Sequence, residues 1–282
     1  MIPTAFEYHR ASSVDDALKA LAASGGSAKF VAGGHSLVPL MKLRLSEPGM
    51  LIDIARIPEL AGVREKSGQI EIGAGTVHHA VATSKLLQDT CPIVSDAAAT
   101  IGDTQVRNRG TVGGSLAHAD PSADMPAVMV ALDADIVLRS AAGERTVKAT
   151  SFFQDLFTVD LQAGEIITAV RFAPVKAGAY AKLYQKASHY AIVGVAAVLD
   201  AKGGKIQSAR IGLTGATTHA VRLGKLEQAL AGQSQETIEK VTAGAGAELT
   251  SVNGDLHASE EYRRAMVGVF TKRAILAALA RA

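Results

Sequence analysis

Tryptophan is absent from this 282-residue chain, aromatic residues make up only 4% of it, and cysteine occurs once. Each shortage excludes something. A single thiol, Cys91, cannot form a disulfide within the chain, and an iron–sulfur cluster, which needs several thiolates, cannot be held by this chain alone. Cys91 precedes Pro92 in apolar surroundings and reads as a structural thiol. Sparse aromatics and dispersed basic residues leave no stacking platform for single-stranded nucleic acid. The net charge of +2 is too small to argue for nucleic acid or a membrane surface. No apolar run is long enough to span a bilayer, so no membrane insertion is expected. The opening Met1-Ile2-Pro3-Thr4-Ala5-Phe6-Glu7 lacks the basic-then-apolar order of a signal peptide, so a cytoplasmic protein is expected. No zinc-type spacing of His, Cys or carboxylate occurs, and the adjacent His78 and His79 point apart on a helix. G-x-x-x-x-G-K-[ST] and G-x-G-x-x-G are missing at the first glycine-rich strand end.

What is present is ample core material, 48% hydrophobic residues, enough for two or three compact units. Ser13 is a candidate N-cap for a helix carrying Ala17, Leu18, Leu21 and Ala22, stopped by Gly25-Gly26. Strands are predicted over 28–31, 50–54, 69–73, 134–139 and 165–172, and helices after Thr76, over 92–101 and over 125–132. Pro174 and Gly178 mark a boundary. Beyond it come three strands, 179–186, 191–200 and 205–214, with a hairpin turn at Gly203-Gly204, then helices over 221–231, 236–247 and 259–282. Strands followed by helices indicate an α+β unit.

Two polar, glycine-rich stretches stand apart from this packing pattern. In Ala32-Gly33-Gly34-His35-Ser36 a strand runs into two glycines and a helix start. Glycine permits close backbone approach, and unsatisfied N–H groups at a helix start favour an anion. Ser36 is a candidate cap. The second stretch runs from Ile101 to Asp124, and within it Thr111-Val112-Gly113-Gly114-Ser115 offers N–H groups and two hydroxyls. Asp120 and Asp124 are carboxylates for sugar hydroxyls or, alternatively, turn formers beside Pro121 and Pro126. Together the stretches suit a phosphate or pyrophosphate.

A-G-G-H-S-L at 32–37, Q-V-R-N-R-G-T-V-G-G-S at 105–115 and A-D-P-S-A-D at 119–124 resemble the FAD-binding medium subunit of the molybdenum hydroxylases (the xanthine oxidase family), particularly of the carbon monoxide dehydrogenase type. The resemblance covers essentially the whole chain. It implies an α+β fold: a two-part FAD-binding domain of the vanillyl-alcohol-oxidase/PCMH type over 1–176 (subdomains about 1–56 and 57–176), then a small domain over 177–282 with a three-stranded antiparallel sheet and a helix bundle. It implies that the two loops sandwich the pyrophosphate of FAD, that Asp124, with Asp120 as a second choice, meets the sugars, and that Tyr190 lies near the flavin face. Lys186 is a candidate for lending charge to the flavin or its phosphates, with a solvated strand lysine as the alternative, and Tyr190 has the alternative of a plain junction residue. The roles of Arg107, Arg109 and His118 stay open. The implied activity is electron relay. A large subunit with a molybdenum cofactor oxidises the substrate, and a small subunit with two 2Fe–2S clusters passes electrons to this FAD. The FAD then delivers them to an external acceptor, in a heterotrimer that dimerises. A self-contained FAD oxidase would need a substrate cap and an acid–base group, for which the chain has no clear candidate. A non-catalytic nucleotide-binding module would carry no tightly bound chromophore.

Overall fold

A computed structural model describes residues 2–282. The chain lays down three main sheets in turn, each facing its own apolar core. Strands β1 (Glu7–Arg10), β2 (Ala28–Val31) and β3 (Met50–Asp53) are parallel, in the spatial order β1-β3-β2. Between β1 and β2, helix α1 (Val14–Ala23) buries Val14, Ala17 and Leu18, and the Ser13 hydroxyl caps it by accepting from the Asp16 N–H. Helix α2 (Leu37–Lys42) follows β2, and Ser36 at its start makes no side-chain cap.

The second sheet has five strands. Strands β4 (Val63–Lys66) and β5 (Gln69–Gly73) form a hairpin. Six helices come next: α3 (His78–Ala82), α4 (Lys85–Thr90), α5 (Pro92–Ala99), α6 (Thr104–Arg107), α7 (Val112–His118) and α8 (Asp124–Ala131). A second hairpin, β6 (Asp135–Ser140) and β7 (Gly143–Lys148), leads through α9 (Ala149–Phe152) and a ribbon of β8 (Phe153–Asp155) and β9 (Thr158–Val159) to β10 (Ile166–Phe172). Strand β10 inserts between the hairpins, giving the antiparallel order β4-β5-β10-β6-β7. Its central place accounts for its sequence: Ile166, Ile167, Ala169, Val170 and Phe172 are all buried. The buried Glu71 on β5 is tolerated because Arg64 and Arg171 each reach it at 2.6 Å. Thr76, expected to cap α3, instead ties down the β4 approach through Gly62, and Val77 takes the cap position.

The third sheet is the antiparallel set β11 (Gly178–Tyr184), β12 (Ala191–Lys202) and β13 (Lys205–Thr214), with the tight turn at Gly203-Gly204 in positive φ. A fourth, two-residue strand β14 (Val221–Arg222) pairs with Gly212 and Leu213, where the sequence reads as the start of a helix. Arg222 is held there by both carboxylate oxygens of Glu227, and the helix, α10 (Gly224–Leu230), begins only afterwards. The helix expected over 236–247 breaks into a 3-10 turn, α11 (Ile238–Thr242) and a second 3-10 turn. At Gly246 a Cβ would meet the Arg264 carbonyl at 2.2 Å, so the chain narrows to let α12 (Glu260–Leu279) pass.

Strand β12 shows how the units join. Val195 and Ala197 face the third core, while Ala196 and Val198 belong to the second, the period-2 alternation of a strand covered on both sides. Helix α8 supplies the cover on the second side. Every residue from Asp124 to Ala131 is buried, so the helix has no polar face. Its close approach to β13 depends on Gly212, where a Cβ would sit 2.1 Å from the Ala127 carbonyl.

Candidate cofactor-binding site

The ends of β2 and β5 and the start of β10, with the turns that follow α5, α6, α7 and β11, line a cavity of about 650 Å³. That size falls within the roughly 300–1,000 Å³ of small-molecule and cofactor sites. Of the residues predicted to bind a cofactor, Ala32, Gly33, Gly34, His35, Ser36, Thr111, Gly113, Gly114, Ser115, Asp124 and Tyr190 line it. Val112 does not, because as the first residue of α7 its side chain turns into the second core. Lys186 does not either, since it is exposed in the turn after β11.

The two glycine loops touch. A Cβ on Gly33 would lie 2.2 Å from the Arg109 carbonyl oxygen and 2.9 Å from the Gly110 Cα, so only glycine lets the loops close on each other. Their donors differ in a way the sequence did not reveal. In the second loop the N–H groups of residues 112–115 are already used: Val112 donates to Thr76 O (3.0 Å), Gly113 to Ala74 O (2.7 Å), Gly114 to the Thr111 hydroxyl (3.1 Å) and Ser115 to Thr111 O (3.0 Å). The expectation that Thr111–Ser115 presents free N–H groups is therefore corrected for residues 112–115, because they form the capped first turn of α7, anchored beside β5 and α3. In the first loop the N–H groups of Gly33, Gly34, His35 and Ser36 have no partner among the described residues. Successive unengaged N–H groups of this kind form an anion-binding concavity. The His35 imidazole donates through Nδ1 to Gly33 O at 3.1 Å and fixes the loop. The hydroxyls of Ser36 and Ser115 are also without protein partners among the described residues.

At the opposite end Asp124 is committed to the protein. Its carboxylate accepts from the Tyr180 hydroxyl at 2.5 Å and the Lys182 ammonium at 3.0 Å, and both Asp124 and Lys182 side chains are almost wholly buried. Lys182 further donates to Thr100 O (2.9 Å) and His189 O (2.8 Å). Burial raises the Asp124 carboxyl above its ordinary value against the pull of Lys182 and Tyr180, and burial likewise raises the Tyr180 phenol. Gly194 on β12 makes room for that phenol, since a Cβ there would lie 2.2 Å from its oxygen. Lys182 is the lysine that the sequence reading missed. The alternation of β11 puts Tyr180 and Lys182 on one face, a signal that a search of the polar turn 186–191 passed over.

The remaining residues sort by their contacts. Asp120 accepts from the Ser122 N–H at 2.8 Å, a turn-forming bond, while also lining the cavity. Arg107 binds the carbonyls of Ile101 and Gly102 and so shapes its loop, and the Arg109 side chain is exposed. His118 stacks on Phe157 with ring centroids 5.0 Å apart. The His189 Nδ1–H donates to Gly102 O at 2.8 Å and sets the turn that presents Tyr190, whose phenol is raised by burial and by Asp120 and Asp124. A second unforeseen residue is His78. It is buried, lines the cavity, and its imidazole is held down to about 4 by burial, with His35 adding to the effect.

Comparison with known proteins agrees with this geometry. Residues 4–174 match the family described as FAD binding domain in molybdopterin dehydrogenase, and residues 178–278 match the CO dehydrogenase flavoprotein C-terminal domain. The chain is 41% identical over 286 residues to the carbon monoxide dehydrogenase medium chain of Hydrogenophaga pseudoflava, covering 100% of this chain and 99% of that one. It is 38% identical over 289 residues to the 6-hydroxypseudooxynicotine dehydrogenase complex subunit alpha of Paenarthrobacter nicotinovorans, covering 100% and 97%. Among solved structures, a chain of the reconstituted CO dehydrogenase from Oligotropha carboxidovorans superposes with a TM-score of 0.95 at 38% identity, covering 100% of both chains.

Proposed function

Since the chain belongs to the family of FAD-binding subunits of the molybdopterin dehydrogenases, we propose that it is the electron-relay subunit of such an oxidoreductase. It takes electrons from 2Fe–2S clusters on a small partner subunit and passes them to an external acceptor. A large partner carries the molybdenum cofactor, and two such heterotrimers pair, in the cytoplasm. Residues 1–176 act as the FAD-binding domain and 177–282 as the C-terminal domain. The observation that carries the reading is the cavity at the meeting of the two glycine loops, with its unengaged N–H groups at 33–36.

FAD fits what these residues offer. The first loop's N–H groups and the Ser36 and Ser115 hydroxyls are donors for a pyrophosphate, which has only acceptors. Phe30, Ile101, Val106, Leu161 and Ile167 give an apolar wall that excludes water from a ring system. Tyr190 lines the cavity and is 44% exposed, where its ring would lie near one flavin face. Asp124, Tyr180 and Lys182 act as a strut that ties β11 to α8 and keeps the wall in place. Bound FAD supplies the two-electron redox chemistry that no side chain of this chain provides. Cys91 is buried and its thiol is pushed up to about 12 by burial, as a structural thiol's would be. The two named relatives serve dehydrogenases of unlike substrates while matching nearly the full chain, which supports placing substrate choice on another subunit.

The test is the visible absorbance of the purified chain, with acid-released cofactor identified by chromatography. FAD near one per chain is expected. No flavin after incubation with FAD, in the chain alone and in material purified with its partners, would refute the reading.

A further inference from the structure

We propose that His78 is a binding residue for the same ligand, its Nε2–H donating a hydrogen bond to a pyrophosphate oxygen of FAD. This rests on the FAD reading above. His78 opens α3 directly after β5, and its backbone N–H donates to Gly110 O at 2.9 Å, which pins it to the second glycine loop. Its side chain is only 4% exposed and forms part of the cavity wall. The ring makes no hydrogen bond to any described residue, and Nδ1 is both cut off from solvent and unpartnered. Nε2, equally unpartnered, is the nitrogen that keeps access to the cavity. Gly110 leaves space for this edge of the ring: a Cβ there would meet Cδ2 at 2.9 Å and Nε2 at 3.3 Å.

The position of the proton follows from cost. The imidazole is neutral near pH 7, because burial has lowered its proton affinity. A neutral imidazole carries one N–H. Placing it on Nδ1 would bury a donor with no acceptor, whereas placing it on Nε2 leaves only an unfilled lone pair inside, the less costly defect. Nε2–H then faces the cavity with no protein acceptor, so its partner is what fills the cavity: water in the empty chain, an acceptor of the ligand in the loaded one. The nearest part of the site is the junction of Gly33 and Gly110, beside the unengaged N–H groups of the first loop and His35. A group that offers acceptors only, and carries charge, is the complement of that end. With the N–H groups of residues 112–115 spent inside the protein, His78 adds a donor on that side of the cradle.

The experiment uses the full chain stripped of flavin and compares FAD affinity, by flavin fluorescence titration, for wild type and for His78→Gln, His78→Asn and His78→Leu. A glutamine amide nitrogen reaches the place of Nε2, an asparagine only that of Nδ1. His78→Gln is expected to bind within about 3-fold of wild type, and His78→Asn and His78→Leu roughly 10- to 100-fold more weakly, the loss of one charge-assisted hydrogen bond. Nitrogen-15 spectra of histidine-labelled chain should show His78 protonated on Nε2, with its resonance moving on FAD addition, and one of the two phosphorus resonances of bound FAD should differ between wild type and His78→Asn. Equal affinity across the variants, equal loss in His78→Gln and His78→Asn, or an Nδ1–H tautomer would overturn the proposal. If His78→Leu does not fold, the Gln–Asn pair decides. A wild-type chain that binds no FAD would instead overturn the reading of the site itself.

Discussion

Replacing Gly33 with alanine tests the idea that contact between the glycine loops sets the cofactor cradle. The added Cβ would lie 2.2 Å from the Arg109 carbonyl oxygen and 2.7 Å from its carbon, where ordinary contact begins near 3.4 Å. These atoms are backbone, so no side chain can swing away, and the loops must part by more than an ångström. Overpacking of this kind costs about 1–3 kcal/mol of stability, which lowers Tm by several degrees in a protein of this size. The cost to binding is larger. If the shift removes two charge-assisted hydrogen bonds to the pyrophosphate, at about 1.5–3 kcal/mol each, FAD affinity falls by roughly a hundred- to ten-thousand-fold. The assay is fluorescence titration of the stripped chain, with a thermal melt of the same preparation. Gly224→Ala is the control, since a Cβ there has nothing within 4 Å. A Gly33→Ala chain with one FAD bound at wild-type affinity would refute the reasoning.

Lys182→Met leaves the buried Asp124 carboxylate without its cation and should cost about 3–5 kcal/mol in denaturant unfolding. Combining it with Asp124→Asn should recover a good part of that loss, and strict additivity of the two would show that the pair is not coupled. Gly194→Ala drives a Cβ to 2.2 Å from the Tyr180 oxygen and should cost about 1–3 kcal/mol, whereas adding Tyr180→Phe to it should relieve part of the strain. In the flavin-free chain the folded-state His78 holds its proton only below about pH 4, against an ordinary value of 6.5. The unfolded chain therefore takes up a proton first as pH falls. The stabilisation is fully present above about pH 6.5 and is lost towards pH 4, to a total of about 3 kcal/mol. His78→Gln should flatten that part of the stability profile, and an unchanged slope would count against the buried neutral imidazole.

The legible parts of the fold were those with strong local pattern. The Ser13 cap, the stop at Gly25-Gly26 and the long hairpin at Gly203-Gly204 all rest on short-range chemistry. Strands β1, β4 and β7 were not legible. Glu7–Arg10, Val63–Lys66 and Gly143–Lys148 lie at sheet edges, largely exposed, so no alternating apolar signal marks them. The insertion of β10 between two hairpins formed earlier in the chain is a non-local pairing that no window of sequence records. In the site, the glycine loops were visible because polar, glycine-rich segments between apolar ones are conspicuous. Which of their N–H groups remain free was not, because that depends on Thr76 and Ala74 lying beside the second loop. His78 was read correctly as pointing away from His79, which is exposed, but its direction into a cavity is a property of the packed α3. Lys182 was hidden by looking like an ordinary strand lysine.

Helix α8 packs against a strand, β12, that walls two cores at once, so the protein cannot be dismantled one sheet at a time. Its N-terminal Asp124 is bolted to β11, and its middle rests on Gly212 of β13. Amide protons of α8, β12 and β13 should therefore exchange as a single slow unit, released only by global opening. The segment between Phe172 and Gly178 is a seam in the primary structure but not in cooperativity. A protease cut there should leave the two fragments associated. Either fragment made alone would expose one side of a helix or strand that has no water-facing surface, and the flavin end of the molecule inherits its rigidity from a sheet that contributes only the turn residues Ser188, His189 and Tyr190 to its lining.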